Sequence, residues 1–205
     1  PDVVINVVDA TNLERNLYLT TQLIEMGANV VIALNMIDQA EALNIEIDTN
    51  KLSKRLGVPI IKTSALKNRG IEELIETSIY SKKNEKLINI NYGEDIENEI
   101  KNLSSLLETY KNKLEFPVNW TALKLLENDE YIKDKVKQLN SPSIFTKLKE
   151  SNKTIEKNIG FEADMSIVDK RYSFISSITE DVIKKPSEKQ VTTTEKIDKI
   201  VTNKY

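Results

Sequence analysis

Apolar positions in the first 80 residues come in short continuous runs, separated by stretches with helical spacing. Val3-Val4-Ile5-Asn6-Val7-Val8, Asn29-Val30-Val31-Ile32-Ala33-Leu34 and Val58-Pro59-Ile60-Ile61-Lys62 are three such runs. Unbroken Val/Ile runs, rather than strict alternation, predict strands covered on both faces, as in a parallel sheet. Between them, Leu13, Leu17, Thr20, Leu23 and Ile24 predict a helix over 13–26, with Gly27 to end it. Asp48 is placed to cap a second helix that ends at Leu56, ahead of Gly57 and Pro59. Ile71, Leu74, Ile75 and Ile79 predict a third, beginning near Gly70. Strand and helix alternate three times, the order of a right-handed parallel α/β layer.

The pattern changes near residue 81. Residues 81–91 are mostly polar, with an apolar break at Leu87 and Ile88, and read as a connector. Beyond Tyr92 the strand signals stop. Ile96, Ile100, Leu103, Leu106, Leu107, Tyr110 and Leu114 recur at steps of three and four. Pro117 suits a helix start before Trp120, Leu123, Leu125 and Leu126. Ile144, Phe145, Leu148 and Ile155 predict a further helix. Met165, Val168, Tyr172, Ile175, Ile178 and Val182 form the clearest stripe, with Asp164 in its first turn and Lys184 and Lys185 at its end. A bundle of about four helices is expected. The expected division is an α/β part over 1–83, an all-α part over 84–184 and a linker over 185–205.

Composition narrows the chemistry. The chain has 205 residues, no Cys and no His, and a net charge of −3. That excludes disulfides, thiolate or imidazole metal sites, Cys nucleophiles and His-based triads. The balance argues against nucleic acid as a partner. No apolar run reaches membrane-spanning length, so the segment is expected to be soluble. It starts at Pro1 inside a strand pattern with no leader features, and reads as an interior segment. Residues 184–205 carry six basic and three acidic side chains, as a cytosolic juxtamembrane segment or a solvated linker does.

In open α/β sheets, ligands bind at the carboxyl ends of strands. The second strand runs into Asn35-Met36-Ile37-Asp38 and the third into Thr63-Ser64-Ala65-Leu66, on the same edge of a parallel layer. N-x-x-D also occurs at Asn6–Asp9, but that copy begins mid-strand, and Asn6 reads as structural. The second copy begins where its strand ends. A guanine base offers two donors on one edge, N1–H and N2, and Asp38 can accept both. A backbone N–H of the Ser64-Ala65 turn suits guanine O6, and Asn35 suits N7 or a brace to the neighbouring loop. Adenine would leave the carboxylate unpaired. The plain alternative is that Asn35 and Asp38 only cap the following helix and turn.

These two motifs resemble the N-[KM]-x-D and S-A-[KL] elements of Ras-like GTPases. With Asp9-Ala10-Thr11-Asn12-Leu13-Glu14-Arg15-Asn16-Leu17 and Leu56-Gly57-Val58-Pro59-Ile60-Ile61-Lys62-Thr63-Ser64-Ala65, the chain resembles the GTPase region of bacterial ferrous iron transport protein B (FeoB). Ala122–Glu127 and Ala163–Tyr172 resemble that family's helical domain, and Lys196–Tyr205 its approach to a membrane helix.

The resemblance implies a partial Ras-like parallel-sheet GTPase layer, its N-terminal strands missing, followed by a helical regulatory domain. It implies GTP/GDP as ligand, read by Asn35, Met36, Asp38, Ser64, Ala65 and Leu66. It further implies a place on the cytoplasmic face of the inner membrane, a membrane transport domain of the same polypeptide as partner, and a link between nucleotide state and Fe²⁺ transport. An oligomer is compatible with it. Met36 stands where most GTPases have Lys, so its thioether covers the base without a charge and weaker binding is expected.

The sequence contains no G-x-x-x-x-G-K-[ST] and no D-x-x-G. The phosphate cradle and the Mg²⁺ ligands expected in the intact protein are therefore not here. The chain alone is expected neither to hydrolyse GTP nor to bind it tightly, with an unpaired sheet edge. No iron site is visible; Asp129-Glu130 and Glu180-Asp181 read as solvated helix charges. The competing readings are a ribosome- or tRNA-associated bacterial GTPase, and an α/β interaction module that binds no nucleotide.

Overall fold

The computed structural model describes residues 2–81 and 88–184. The whole of the expected linker, 185–205, and residues 82–87 of the expected connector lie outside the described residues. β1 (Val4–Asp9), β2 (Val30–Asn35) and β4 (Ile60–Lys62) form a parallel sheet in the order β1-β2-β4. Val4 pairs with Val30 and Ile32 with Ile60, so the ends of β1, β2 and β4 open on one edge. The helices between them are α1 (Leu13–Glu25), α2 (Ile37–Ala42) and α3 (Thr49–Leu56), and α4 (Ile71–Tyr80) follows.

The local signals act as expected in several places. Asp48 caps α3 by accepting from the Lys51 N–H at 2.9 Å. Gly57 ends that helix at φ 71°, a left-handed backbone that suits glycine. The expected strands shift by one or two residues. α2 was given no bounds in the sequence and the two-residue β3 (Glu46–Ile47) was not expected, both being too short to show a period.

One face of the sheet carries Val8, Val30, Ile32 and Leu34 into the main core with Leu17, Leu52 and Leu56. The other carries Val31, Ala33 and Ile61 against Leu74 of α4. β2 is therefore buried on both faces, as its run predicts. β1 is not: Ile5 is 43% and Val7 61% exposed, because β1 is the sheet edge and one of its faces has no covering helix among the described residues. Ile75 and Ile79 are also exposed, since α4 turns only its Leu74 and Ser78 line inward.

Among the described residues the second half has five α-helices: α5 (Glu94–Leu107), α6 (Val118–Leu126), α7 (Glu130–Lys137), α8 (Pro142–Ile159) and α9 (Ala163–Val182). They enclose a separate core around Ile96, Leu103, Leu107, Leu125 and Ile144. α9 serves both cores. Ala163 and Ile167 enter the helical one, while Ile175, Ile178 and Val182 pack into the α/β one. The expected stripe is thus half right. Met165, Val168 and Tyr172 are exposed, and the buried line runs through Ile167 and Arg171 instead. α9 ends at Val182, not at the lysines. Ile183–Lys184 form β5, antiparallel to β3.

Candidate functional site

The site is built where β2 and β4 end. Asn35 is the last residue of β2. Met36 then adopts φ 60° and ψ 28°, a left-handed conformation for a residue that carries a Cβ, and this turns the chain into α2. Asp38 lies in the first turn of α2, where the helix dipole favours a carboxylate. On the neighbouring strand, Thr63 extends the ladder by donating to the Leu34 carbonyl at 2.8 Å, and its own carbonyl accepts from Ile37 at 3.2 Å. The two polar segments are thereby held side by side.

Residues 64–69 form a closed loop. The Ser64 N–H donates to the Arg69 carbonyl at 3.1 Å and the Arg69 N–H returns to Ser64 at 3.0 Å. The Asn35 side chain braces it, its Oδ1 accepting from the Ala65 N–H at 3.1 Å. That is the brace allowed for in the sequence. It leaves the Asn35 Nδ2 end for other contacts. The Ser64 and Ala65 N–H groups are both engaged, and the Leu66 N–H has no acceptor among the described residues. Ser64 is buried, whereas Ala65 and Leu66 are exposed, Leu66 at 87%.

Asp38 faces this loop. The Ser64 hydroxyl is the main influence on its carboxyl. Burial works against it, but with Lys67, whose Nζ is 3.5 Å from Oδ2, the hydroxyl holds Asp38 below the usual carboxylate range. The carboxylate is ionised at neutral pH and offers lone pairs only. Six sequence-selected residues therefore meet at one edge, on two adjacent segments.

Three residues of this region carry no mark in the motifs. Lys67 pairs with Asp38. Arg69 donates from Nη1 to both carboxylate oxygens of Glu41, each at 3.0 Å. Gly70, at φ 75°, sits so close to β4 that a Cβ there would lie 2.1 Å from the Lys62 carbonyl oxygen. A glycine directly after a polar loop was the available signal for the last of these.

The first N-x-x-D copy behaves as structure. Asn6 is buried and donates to Thr20 Oγ1 at 2.6 Å. Asp9 accepts from the Thr11 N–H at 2.7 Å and from Asn12 Nδ2 at 3.0 Å. The acidic pairs read as solvated charges also have local roles: Asp129 caps α7, and Asp181 meets Lys51 at 2.5 Å. Among the described residues, no group of three or more acidic side chains is placed to hold a metal ion, and no helix is long and apolar enough to cross a membrane.

A parallel layer that presents these loops, followed by a helical bundle, defines a class, and comparison with known proteins gives the same class. Residues 1–79 match the family model for ferrous iron transport protein B, and residues 92–184 match that for the FeoB cytosolic helical domain. The Fe(2+) transporter FeoB of Methanocaldococcus jannaschii is 43% identical over 207 residues, 99% of this chain and 30% of that protein. The Fe(2+) transport protein A/Fe(2+) transporter FeoB fusion protein of Porphyromonas gingivalis is 38% identical over 215 residues, 100% of this chain and 25% of that protein. The chain thus spans about a quarter of the length of the curated relatives it matches. Among solved structures, a GDP-bound mutant of the S. thermophilus FeoB G-domain gives a TM-score of 0.78 at 32% identity, covering 89% of this chain and 70% of that one. The mGMPPNP-bound NFeoB from S. thermophilus gives 0.76 at 33%, covering 92% and 70%.

The fold is that of a Ras-like GTPase G domain with a helical domain after it. The chain belongs to the FeoB family and carries part of its G domain and its cytosolic helical domain.

Proposed function

We propose that this chain reads the guanine base of GTP and GDP for a ferrous iron transporter, at the cytoplasmic face of the membrane. One observation carries the reading: an ionised Asp38 and the Ala65–Leu66 backbone converge from two neighbouring strand ends. Asp38 accepts from guanine N1–H and N2 in a bidentate pair. The Leu66 N–H, with Ala65 shared between Asn35 and the ligand, donates to O6. Asn35 Nδ2 donates to N7, and the Met36 thioether covers the base plane. Adenine presents no donor pair to Asp38 and would leave the carboxylate desolvated and unpaired.

The GDP- and GMPPNP-bound relatives support guanine nucleotide as the ligand. The phosphate chemistry is assigned elsewhere. This sequence holds neither a Walker-type loop nor D-x-x-G, so γ-phosphate and Mg²⁺ contacts are not made by these residues. The helical domain, joined to the G layer through α9, relays nucleotide state toward a membrane domain of the same polypeptide. The proposed boundaries are 1–83 for the G-domain part, 84–184 for the helical domain and 185–205 for the linker.

The test is thermal melting of the chain with millimolar GDP or ADP. GDP is expected to raise the Tm and ADP to leave it unchanged; equal shifts would remove the base-reading function. Membrane coupling is tested by the adjoining coding sequence. A P-loop before this segment and several apolar stretches of about 20 residues after it are expected. Their absence would leave a nucleotide-binding module without a channel.

A further inference from the structure

The proposed base reader is split between two segments, which hydrogen bonds from Ile37 to Thr63 and from Ala65 to Asn35 hold together at the strand ends. Asp38 belongs to α2, and the Ala65–Leu66 amides belong to the 64–69 loop. Two ion pairs cross the gap. Asp38 pairs with Lys67 at 3.5 Å, and Glu41 pairs with Arg69 through both carboxylate oxygens at 3.0 Å. Asp38 and Glu41 are three apart on one helix, so both face the loop. The pairs differ in what a bound base would do to them. A guanine edge accepted by Asp38 competes with Lys67 for the same oxygens. Glu41 and Arg69 lie beside the site and keep their contact.

We propose that the Glu41–Arg69 pair is a second positioning element of the guanine reader, holding the far side of α2 and of the 64–69 loop at the separation the base requires, while Lys67 only occupies Asp38 until a base arrives. The proposal rests on the base-site reading above. Its geometry is independent of that reading. Arg69 is anchored at its backbone by two hydrogen bonds to Ser64, and Gly70 is pressed against the Lys62 carbonyl. The guanidinium therefore projects from a fixed point, and its planar fork fixes Glu41 in turn. Lys67, by contrast, is a flexible point charge that reaches Asp38 at 3.5 Å.

The test is a charge-swap series in the full chain, ¹⁵N-labelled: E41R, R69E and the double variant, with D38N as control. Two quantities are read. One is amide hydrogen exchange at Ala65 and Leu66 without nucleotide. The other is affinity for GDP and for inosine diphosphate, which lacks the 2-amino group and so loses one of the two bonds to Asp38. Each single variant is expected to speed exchange and weaken GDP binding by about two- to fivefold, the range for an exposed pair. Each should also shrink the preference for GDP over inosine diphosphate, and the double variant should restore all three. Unchanged exchange and preference in the single variants would overturn the positioning role. If D38N and the unsubstituted chain treat the two nucleotides alike, the base-site reading fails instead. Exchange at Ala65 then still decides whether the pair holds the loop.

Discussion

Arg171 and Glu25 are 146 residues apart in sequence and 3.1 Å apart in space. Arg171 belongs to α9, Glu25 ends α1, and the guanidinium is 1% exposed. A second carboxylate, Glu127 at the end of α6, meets the same guanidinium at 2.5 Å. Tyr18 accepts a further bond at 3.2 Å, and the Tyr92 hydroxyl donates to Glu25. Burial alone would lower the pKa of Arg171, but Glu25, Tyr92 and Glu127 raise it, so it is charged at any working pH. One cation thus joins the α/β layer, the 88–93 segment and the helical bundle.

Removing it leaves Glu25 buried with the Tyr92 hydroxyl but no cation in its place, beside a Glu127 that keeps Lys124 at 2.8 Å. Arg171→Met is expected to destabilise the chain by about 3–5 kcal/mol, the range for breaking a buried pair. Adding Glu25→Gln should recover part of that loss, because it removes the stranded charge. Chemical denaturation of the single and double variants checks both. A loss below about 1 kcal/mol in the single variant, the surface-pair range, would show that the guanidinium is not buried between the domains.

The register of α9 gives a second prediction. Ile175→Ala should cost about 2–5 kcal/mol, as a large-to-small change in a packed core does. Val168→Ala, on the exposed line, should stay within about 0.5 kcal/mol. The reverse order would mean that the stripe read from the sequence, and not the one observed, faces inward.

That register shows why part of the fold could not be read in advance. Met165, Val168 and Tyr172 have helical spacing and apolar side chains, so pattern alone selects them. The buried line contains Arg171, which a hydrophobicity pattern rejects. It is tolerated inside only because Glu25 and Glu127 arrive from distant parts of the chain. The α/β layer was more legible, because Val/Ile runs, the Asp48 cap and Gly57 are local signals. The candidate site was legible at Asn35, Asp38 and Ser64-Ala65 for the same reason. Glu41, Lys67 and Arg69 were not, since an ion pair between a helix and a loop leaves no periodic trace.

Gly70 tests how tightly the loop is seated. Gly70→Ala must accommodate a Cβ 2.1 Å from a backbone carbonyl at φ 75°. The expected cost is about 1–3 kcal/mol from backbone strain alone. Melting temperature and the Ala65 and Leu66 amide shifts report it. Unmoved shifts together with an unchanged Tm would mean that the loop has room that its geometry denies.

Acid response follows from Glu99 in the helical core. Burial would raise its pKa, but Ser151, Asn102 and Lys147 hold it below the ordinary 4.5. A depressed carboxylate contributes stability above its unfolded pKa and loses it as pH falls through the folded one. Glu99→Gln should therefore be least stable, relative to the unsubstituted chain, at neutral pH. The gap should close below about pH 4, as Glu99 itself becomes protonated. Denaturation midpoints across pH 2–7 check the trend, and a gap that widens on acidification would contradict it.

The most direct test of the account concerns Asp38 and its ability to accept two bonds from one base edge. Xanthine replaces the 2-amino donor of guanine with an oxygen, which an amide NH₂ can satisfy and a carboxylate cannot. Affinities for GDP and xanthosine diphosphate are to be measured for the chain and for Asp38→Asn. The account predicts that GDP binds better to the unsubstituted chain and xanthosine diphosphate to the variant. An unchanged preference for GDP in Asp38→Asn would take Asp38 out of the site and the guanine-reading function with it.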